Sequence, residues 1–147
     1  MDQINAAVDR IIRRIRQNEA LAGVRFVRGF NFAPAENPIS GYLAAVCVTG
    51  VNLNRRFVGG YMSSSVKGEV YNADTDIRLY APACENGSGL SAVAGEIISA
   101  LKELEGEENI GGISASAIVF DPDADSIYRT VSFKTEICAE SGEQNDS

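Results

Sequence analysis

The hydrophobic pattern of the chain predicts an α+β domain: a mostly antiparallel sheet of four to five strands with two helices packed on one face, in the order α-β-β-β-α-β-β. Three stretches carry that expectation. Leu90, Val93, Ala94, Ile97, Leu101 and Leu104 recur at the three- and four-residue spacing of one helix face. Ile4, Val8, Ile11 and Ile15 do the same near the N-terminus. Val131, Phe133, Thr135 and Ile137 alternate with Thr130, Ser132, Lys134 and Glu136, the signature of an antiparallel strand with one buried face. The 147 residues, 45% hydrophobic and 22% charged, suit a single domain over residues 1–139, with residues 140–147 a polar tail expected to be disordered. A domain of this size buries roughly 68 to 70% of the surface its unfolded chain exposes.

The first helix is expected from Asp2 to about Ala22, with Gly23 ending it. Opposite its apolar stripe stand Arg10, Arg13, Arg14 and Arg16, a positive face in a chain of net charge −7. Such a face is either solvated, as surface charge usually is, or turned toward an acidic neighbouring subunit. Val24, Phe26, Arg28 and Phe30 alternate with Arg25 and Val27 as a short strand, after which Pro34, Pro38 and Gly41 break regular structure. Tyr42 to Val51 is apolar on both faces, which predicts a central strand with Cys47 as a small buried hydrophobe.

Between Asn52 and Asn72 the chain turns polar and glycine-rich while retaining Phe57, Tyr61, Met62 and Tyr71. A connection of about twenty residues is longer than compact domains ordinarily use. It reads as a flexible contact arm whose spaced aromatics order against a partner; an extra edge hairpin closed by Ser63, Ser64 and Ser65 is the other reading. Asp76 to Ala81 follows as a strand with Ile77, Leu79 and Ala81 on one face, and Pro82, lacking an amide hydrogen, ends its pairing. Ser88 is placed to cap the second helix, which runs to Glu105 with Gly106 just past its end. Burying that helix's apolar stripe contributes roughly 10 kcal/mol before entropy costs. Beyond the acidic link from Glu103 to Gly112, a strand sets Ile113, Ala115, Ala117 and Val119 against Ser114, Ser116, Ile118 and Phe120, and a turn at Asp121 to Asp125 leads into the last strand.

The chemistry available to this chain is narrow. It has no histidine, so the side chain most used for proton transfer near neutral pH is missing. A net charge of −7 and a sequence pI of 4.6 argue against gripping nucleic acid through its phosphates. No apolar run approaches the ~18 residues a membrane helix needs, and Met1-Asp2-Gln3-Ile4-Asn5 has no basic segment followed by an apolar one, so a soluble, unprocessed protein is expected. Cys47, Cys84 and Cys138 lie far apart and are expected as reduced thiols.

Asp121, Asp123 and Asp125 open like a calcium loop, but Ser126 and Ser132 stand where that loop needs glycine and glutamate, so a turn is preferred. Glu103, Glu105, Glu107 and Glu108 read as a solvated acidic patch rather than a catalytic carboxylate pair. The link Ala83 to Gly89 lacks the lysine and spacing of a phosphate loop. No catalytic residue, cofactor or metal is expected.

Several local strings carry a likeness beyond composition. Glu36-Asn37-Pro38 leading into Leu43 to Val51, Asp76-Ile77-Arg78-Leu79-Tyr80-Ala81-Pro82, the loop Gly87-Ser88-Gly89 with its helix, and the late strand Ser126 to Cys138 resemble the tail terminator (tail completion) proteins of long-tailed bacteriophages and prophages, over roughly residues 2 to 139. The resemblance implies a non-enzymatic virion component with helices on one face of a mixed or antiparallel sheet. Its copies would form a ring, commonly a hexamer, that caps the tail tube protein and meets the head–tail connector. Free subunits can be monomeric until they reach a tube. DNA would only slide through an acidic lumen. In that picture Arg55, Arg56, Phe57, Tyr61 and Met62 of the arm, together with Arg13 and Arg14 of the first helix, are the candidate contacts with the tube or a neighbouring subunit. A small cytosolic adaptor that binds a protein through a sheet edge or the glycine-serine arm is the alternative.

Overall fold

In the computed structural model, which describes residues 2–28, 41–61, 67–82, 88–122 and 126–140, the chain runs α1 (Asp2–Ile15), a short 3-10 helix (Glu19–Leu21), β1 (Val24–Arg28), β2 (Tyr42–Tyr61), β3 (Lys67–Pro82), α2 (Ser88–Glu103), α3 (Glu105–Glu108), β4 (Ile110–Ala115), β5 (Val119–Asp121) and β6 (Ser126–Glu140). The strands form one six-stranded sheet in the order β1-β2-β3-β6-β4, with β5 also paired to β6. Only β1 and β2 run parallel; the other pairs are antiparallel. The expected α+β class, its mainly antiparallel sheet and its helix layer are therefore present.

Alternation on the central strands explains the layering. Ala44 and Val46 of β2, Ile77, Leu79 and Ala81 of β3, and Val131 and Phe133 of β6 face one way. On them lie Val8, Ile11, Ile12 and Ile15 of α1 and Leu90, Ala94, Ile97, Ala100 and Leu101 of α2. Further along the same face, Ile4 and Ala7 of α1 pack on Ala73 and Ile137. The other face carries a smaller buried group, Leu43, Ala45 and Tyr80, with Val27 and Tyr128 against it. That second group accounts for the double-sided apolarity of β2.

The first helix is shorter than its apolar pattern suggests. After Ile15 the hydrogen bonds tighten to three-residue spacing, Gln17 N to Arg14 O and Asn18 N to Ile15 O. Asn18 then adopts an extended conformation and its side-chain oxygen accepts from Ala20 N at 2.9 Å, so an asparagine cap, rather than Gly23, redirects the chain. Leu21 continues the apolar stripe into the core from the 3-10 helix.

Two further boundaries differ from the pattern. The run expected as one strand over 113–120 is two, β4 and β5, which raises the strand number to six. Ser116 sits at the break: its N–H donates to Thr130 O at 2.8 Å, and its hydroxyl accepts from Thr130 N at 2.9 Å. The edge bends there without losing its hold on β6. The register of β4 also shifts between Gly111 and Ser114, where Gly112 takes a positive φ of 62° that a side chain would strain. Second, the stretch 52–72, expected to be an arm, has paired backbone in its described parts. β2 and β3 stay in register through Asn52↔Asn72, Arg55↔Val70 and Arg56↔Glu69 to Tyr61↔Lys67, with shifts at Leu53/Arg55 and Arg56/Tyr61. The pairing is that of a hairpin, at the centre of the sheet rather than at its edge, and Ser63, Ser64 and Ser65, expected to close it, lie outside the described residues. The tail, 141–147, lies outside the described residues.

Two predictions follow from the core. Ile97→Asp puts an unpaired charge under α2, where Ile97 is fully buried, and should abolish the cooperative unfolding transition in urea followed by circular dichroism; Leu101→Ala should keep the transition but lower stability by about 2–5 kcal/mol. Thr75 and Thr135 are buried on the helix side with hydroxyls that have no hydrogen-bond partner among the described residues. A buried hydroxyl left unpaired costs about 1–3 kcal/mol, so Thr75→Val and Thr135→Val should each raise the urea midpoint, and a fall in both would contradict that packing.

Candidate interaction surfaces

α1 is ion-paired on two sides, through its arginines toward α3 and through its own Asp9 toward β1. Toward α3, Arg10 donates from Nε to Glu108 Oε2 at 2.9 Å and from Nη2 to Oε1 at 2.8 Å, while Arg14 Nη1 reaches Glu107 Oε1 at 3.0 Å. Toward β1, Asp9 pairs with Arg28, whose Nη2 also donates to Asn5 Oδ1 at 3.2 Å. Arg13 and Arg16 have no ion-pair partner among the described residues. Of the two α1 arginines expected at an interface, Arg14 is thus held within its own chain and Arg13 is not. The pairs of Arg10 and Arg14 join residues 98 and 93 positions apart, and no local pattern could have disclosed them. The four glutamates of the link are correspondingly not all solvated: the Glu108 side chain is 9% exposed.

Between α1 and β1 runs a groove of about 340 Å³ lined by Asp9, Ile12, Arg13, Arg16, Phe26, Val27, Arg28 and Val46. Its floor is apolar and its helix-side rim is basic. β1 is an edge strand, bonded to β2 on one side only in the sheet order. At the opposite edge of the sheet, Ile118, Val119 and Phe120 are exposed in succession, Phe120 by 56%. Contiguous exposed hydrophobes on an edge strand mark an association surface. The alternating pattern of 113–120 had suggested a half-buried strand, and only the break at Ser116 turns its end outward.

The remaining candidates lie along the β2–β3 hairpin. The backbones of Arg55, Arg56, Phe57 and Tyr61 fall on its distal part, beyond Leu53, which is 48% exposed. Met62 lies outside the described residues, as do Asp123 and Asp125 of the suspected turn.

On the face away from the helices, the Arg78 guanidinium stacks 4.3 Å from the Tyr128 ring centre, and Tyr128 lies 5.5 Å from Tyr80. Burial pushes the Tyr80 phenol up, against the smaller opposing pull of Arg78's hydrogen bond and charge, so it stays neutral near pH 7. Cys47 is buried, and its thiol points to Val48 O at 3.8 Å. Among the described residues no group of three or more metal-ligating side chains converges, and no helix is long and apolar enough to cross a membrane.

No family model and no curated protein matches the sequence. Among solved structures, the chain is similar to the sheath/tube terminator of an extracellular contractile injection system, PVC, in its extended state, with a TM-score of 0.53 at 10% identity. That match covers 100% of this chain and 58% of the terminator, so the chain spans little more than half of the larger protein's length. A chain of the virion of a native gene transfer agent particle is similar at 13% identity and a TM-score of 0.48, over 88% of this chain and 92% of that one. At such identities the likeness is one of fold.

The α1–α3 links make a pH prediction. Hydrogen bonding from Arg14, and then its charge, hold the Glu107 carboxyl below its ordinary value of 4.5. A depressed folded-state pKa stabilises above the unfolded value and loses that contribution as pH falls through the folded one. The difference in urea midpoint between the parent and Arg14→Gln should therefore be largest near neutral pH and shrink below about pH 4. A difference that stays constant from pH 7 to pH 3 would show that the pair contributes nothing.

Proposed function

We propose that this chain is a structural tail component: a terminator whose copies assemble into a ring on the end of a tail tube and meet the head-side connector. The observation that carries the reading is correspondence of fold along the whole chain with a sheath/tube terminator, reached independently of the local strings that resemble tail terminators. The surface is consistent with it. One face of the sheet is covered by α1 and α2, both edges are open in the sheet order, and a long hairpin extends from the centre. A subunit of that shape has sides to offer to copies of itself and a projection to offer to a tube.

In this reading the distal hairpin, with Arg55, Arg56, Phe57, Tyr61 and Met62, meets the tube protein or a neighbouring subunit. The net charge of −7 suits a lumen that DNA traverses without adhering, since like charge shortens its residence. The protein works without catalysis, in the virion tail, after assembly in the host cytoplasm. The reading takes only the part of the larger terminator that this chain covers.

Sedimentation velocity over a concentration series, with and without tube protein, tests the assembly. A species of five or six subunits, formed with rising concentration or on the tube, is the expected result, and a strict monomer under every condition contradicts it. Arg55→Glu with Arg56→Glu should weaken binding to the tube or to neighbouring copies at least tenfold; unaltered ring formation and tail joining in that variant would remove the hairpin from the interface.

A further inference from the structure

We infer that residues 105–115, the α3 turn and β4, form a strap that opens as one piece from the edge of β6 while the rest of the sheet stays folded, and that the Arg10–Glu108 pair is its latch. The opening is a property of the single chain and stands apart from the ring reading. Two features carry it: how little of the strap is buried, and how its one covered charge is held.

A segment opens by itself when it puts few apolar side chains into the core and bonds only along an edge. Within 105–115, Ile110 alone is buried, Ile113 is partly buried against the same core, and no residue of α3 is buried. β4 meets β6 in a short register interrupted by a shift, and Glu136 N donates to Asn109 O at 3.1 Å beside it. Asn109 and Gly112 stand at positive φ, 52° and 62°. The asparagine holds that conformation at a cost that opening releases. Both ends of the strap are anchored more firmly. Leu104, directly before it, is buried in the main core. Ser116, directly after it, exchanges two hydrogen bonds with Thr130, and its carbonyl accepts from Arg129 Nε at 2.7 Å. Arg129 reaches on to Ser91 Oγ of α2 at 3.1 Å. A lightly held segment thus runs between two fixed points.

The latch follows from an inequality within one ion pair. The Glu108 side chain is 9% exposed, and among the described residues its carboxylate is hydrogen-bonded by Arg10 alone, from Nε at 3.2 and 2.9 Å to the two oxygens and from Nη2 at 2.8 Å. Arg10 itself is 51% exposed. Without Arg10 the covered carboxylate loses its counter-charge and must move into water, and α3 moves with it. Without the Glu108 charge, Arg10 only turns further into solvent that it already touches. Arg14, the other cation at α3, is bonded to Glu107 in a pair exposed on both sides, which holds the turn less firmly.

Amide hydrogen exchange followed by NMR on dilute protein, across single and paired variants, tests the inference. In the parent, the Glu136 amide and the β4 amides bonded to β6 should exchange well before the amides that bond β3 to β6. Arg10→Gln should speed the first group by about tenfold and leave the second unchanged. Glu108→Gln alone should speed it less. Arg10→Gln combined with Glu108→Gln should bring it back to within about threefold of the parent, because the covered charge is gone. An acceleration by Arg10→Gln that persists undiminished in the paired variant would show that Arg10 acts by packing, and the latch falls. Strap amides that exchange only together with the β3–β6 bonds, in the parent and in the variants alike, would overturn the strap itself.

Discussion

The β3–β6 ladder is the constraint on which the other parts of the molecule depend, because it is an interior pairing that carries the helix-side core without a shift in register. Its register is unbroken from Gly68↔Glu140 to Pro82↔Ser126, whereas the β2–β3 and β4–β6 pairings both contain shifts. Slipping it by one residue would exchange Ile77, Leu79, Val131 and Phe133 for Asp76, Arg78, Ser132 and Lys134 beneath the helices. The helix layer therefore sets the register, and the register in turn holds the helices. What is left free are the two edges, β1 on one side and β4 with β5 on the other.

Those edges differ because of what each one borders. Beside β1 lies α1, whose outward arginines are split by their neighbours: α3 neutralises Arg10 and Arg14, and Arg13 and Arg16 are left facing the groove. Beside β6, the short turn of α3 and the positive φ of Asn109 and Gly112 bring the chain into β4, and the break at Ser116 exposes Ile118 to Phe120. Intramolecular ion pairing thus sharpens the contrast between the two sides. An acidic chain shows a basic groove at one edge.

Much of this was legible in the sequence, and the reasons are specific. The stripe from Leu90 to Leu104 and the alternation from Thr130 to Ile137 each lie within one element and repeat with that element's period, so element type and buried face could be read directly. The double-sided apolarity of Tyr42 to Val51 correctly marked an interior strand. Other features depended on partners far along the chain. Asn18 stops α1 through a local cap that the isoleucine spacing overrides on paper. The twenty residues from Asn52 look like a loop by composition, yet their described backbone pairs across the hairpin because β3 supplies a template. The arginine pairs to α3 and the outward turn at Phe120 are tertiary outcomes, and they decide which surfaces remain available.

Hydrogen exchange measured on dilute and on assembled protein tests the account most directly, since it reads the ladder and the edges in one experiment. Amides that bond β3 to β6 should exchange only through global opening in both samples. Segments 24–28 and 118–121 should exchange faster in the dilute sample and become protected on assembly. Protection that appears on assembly elsewhere while those two segments stay open, or early exchange in the β3–β6 ladder, would contradict the account.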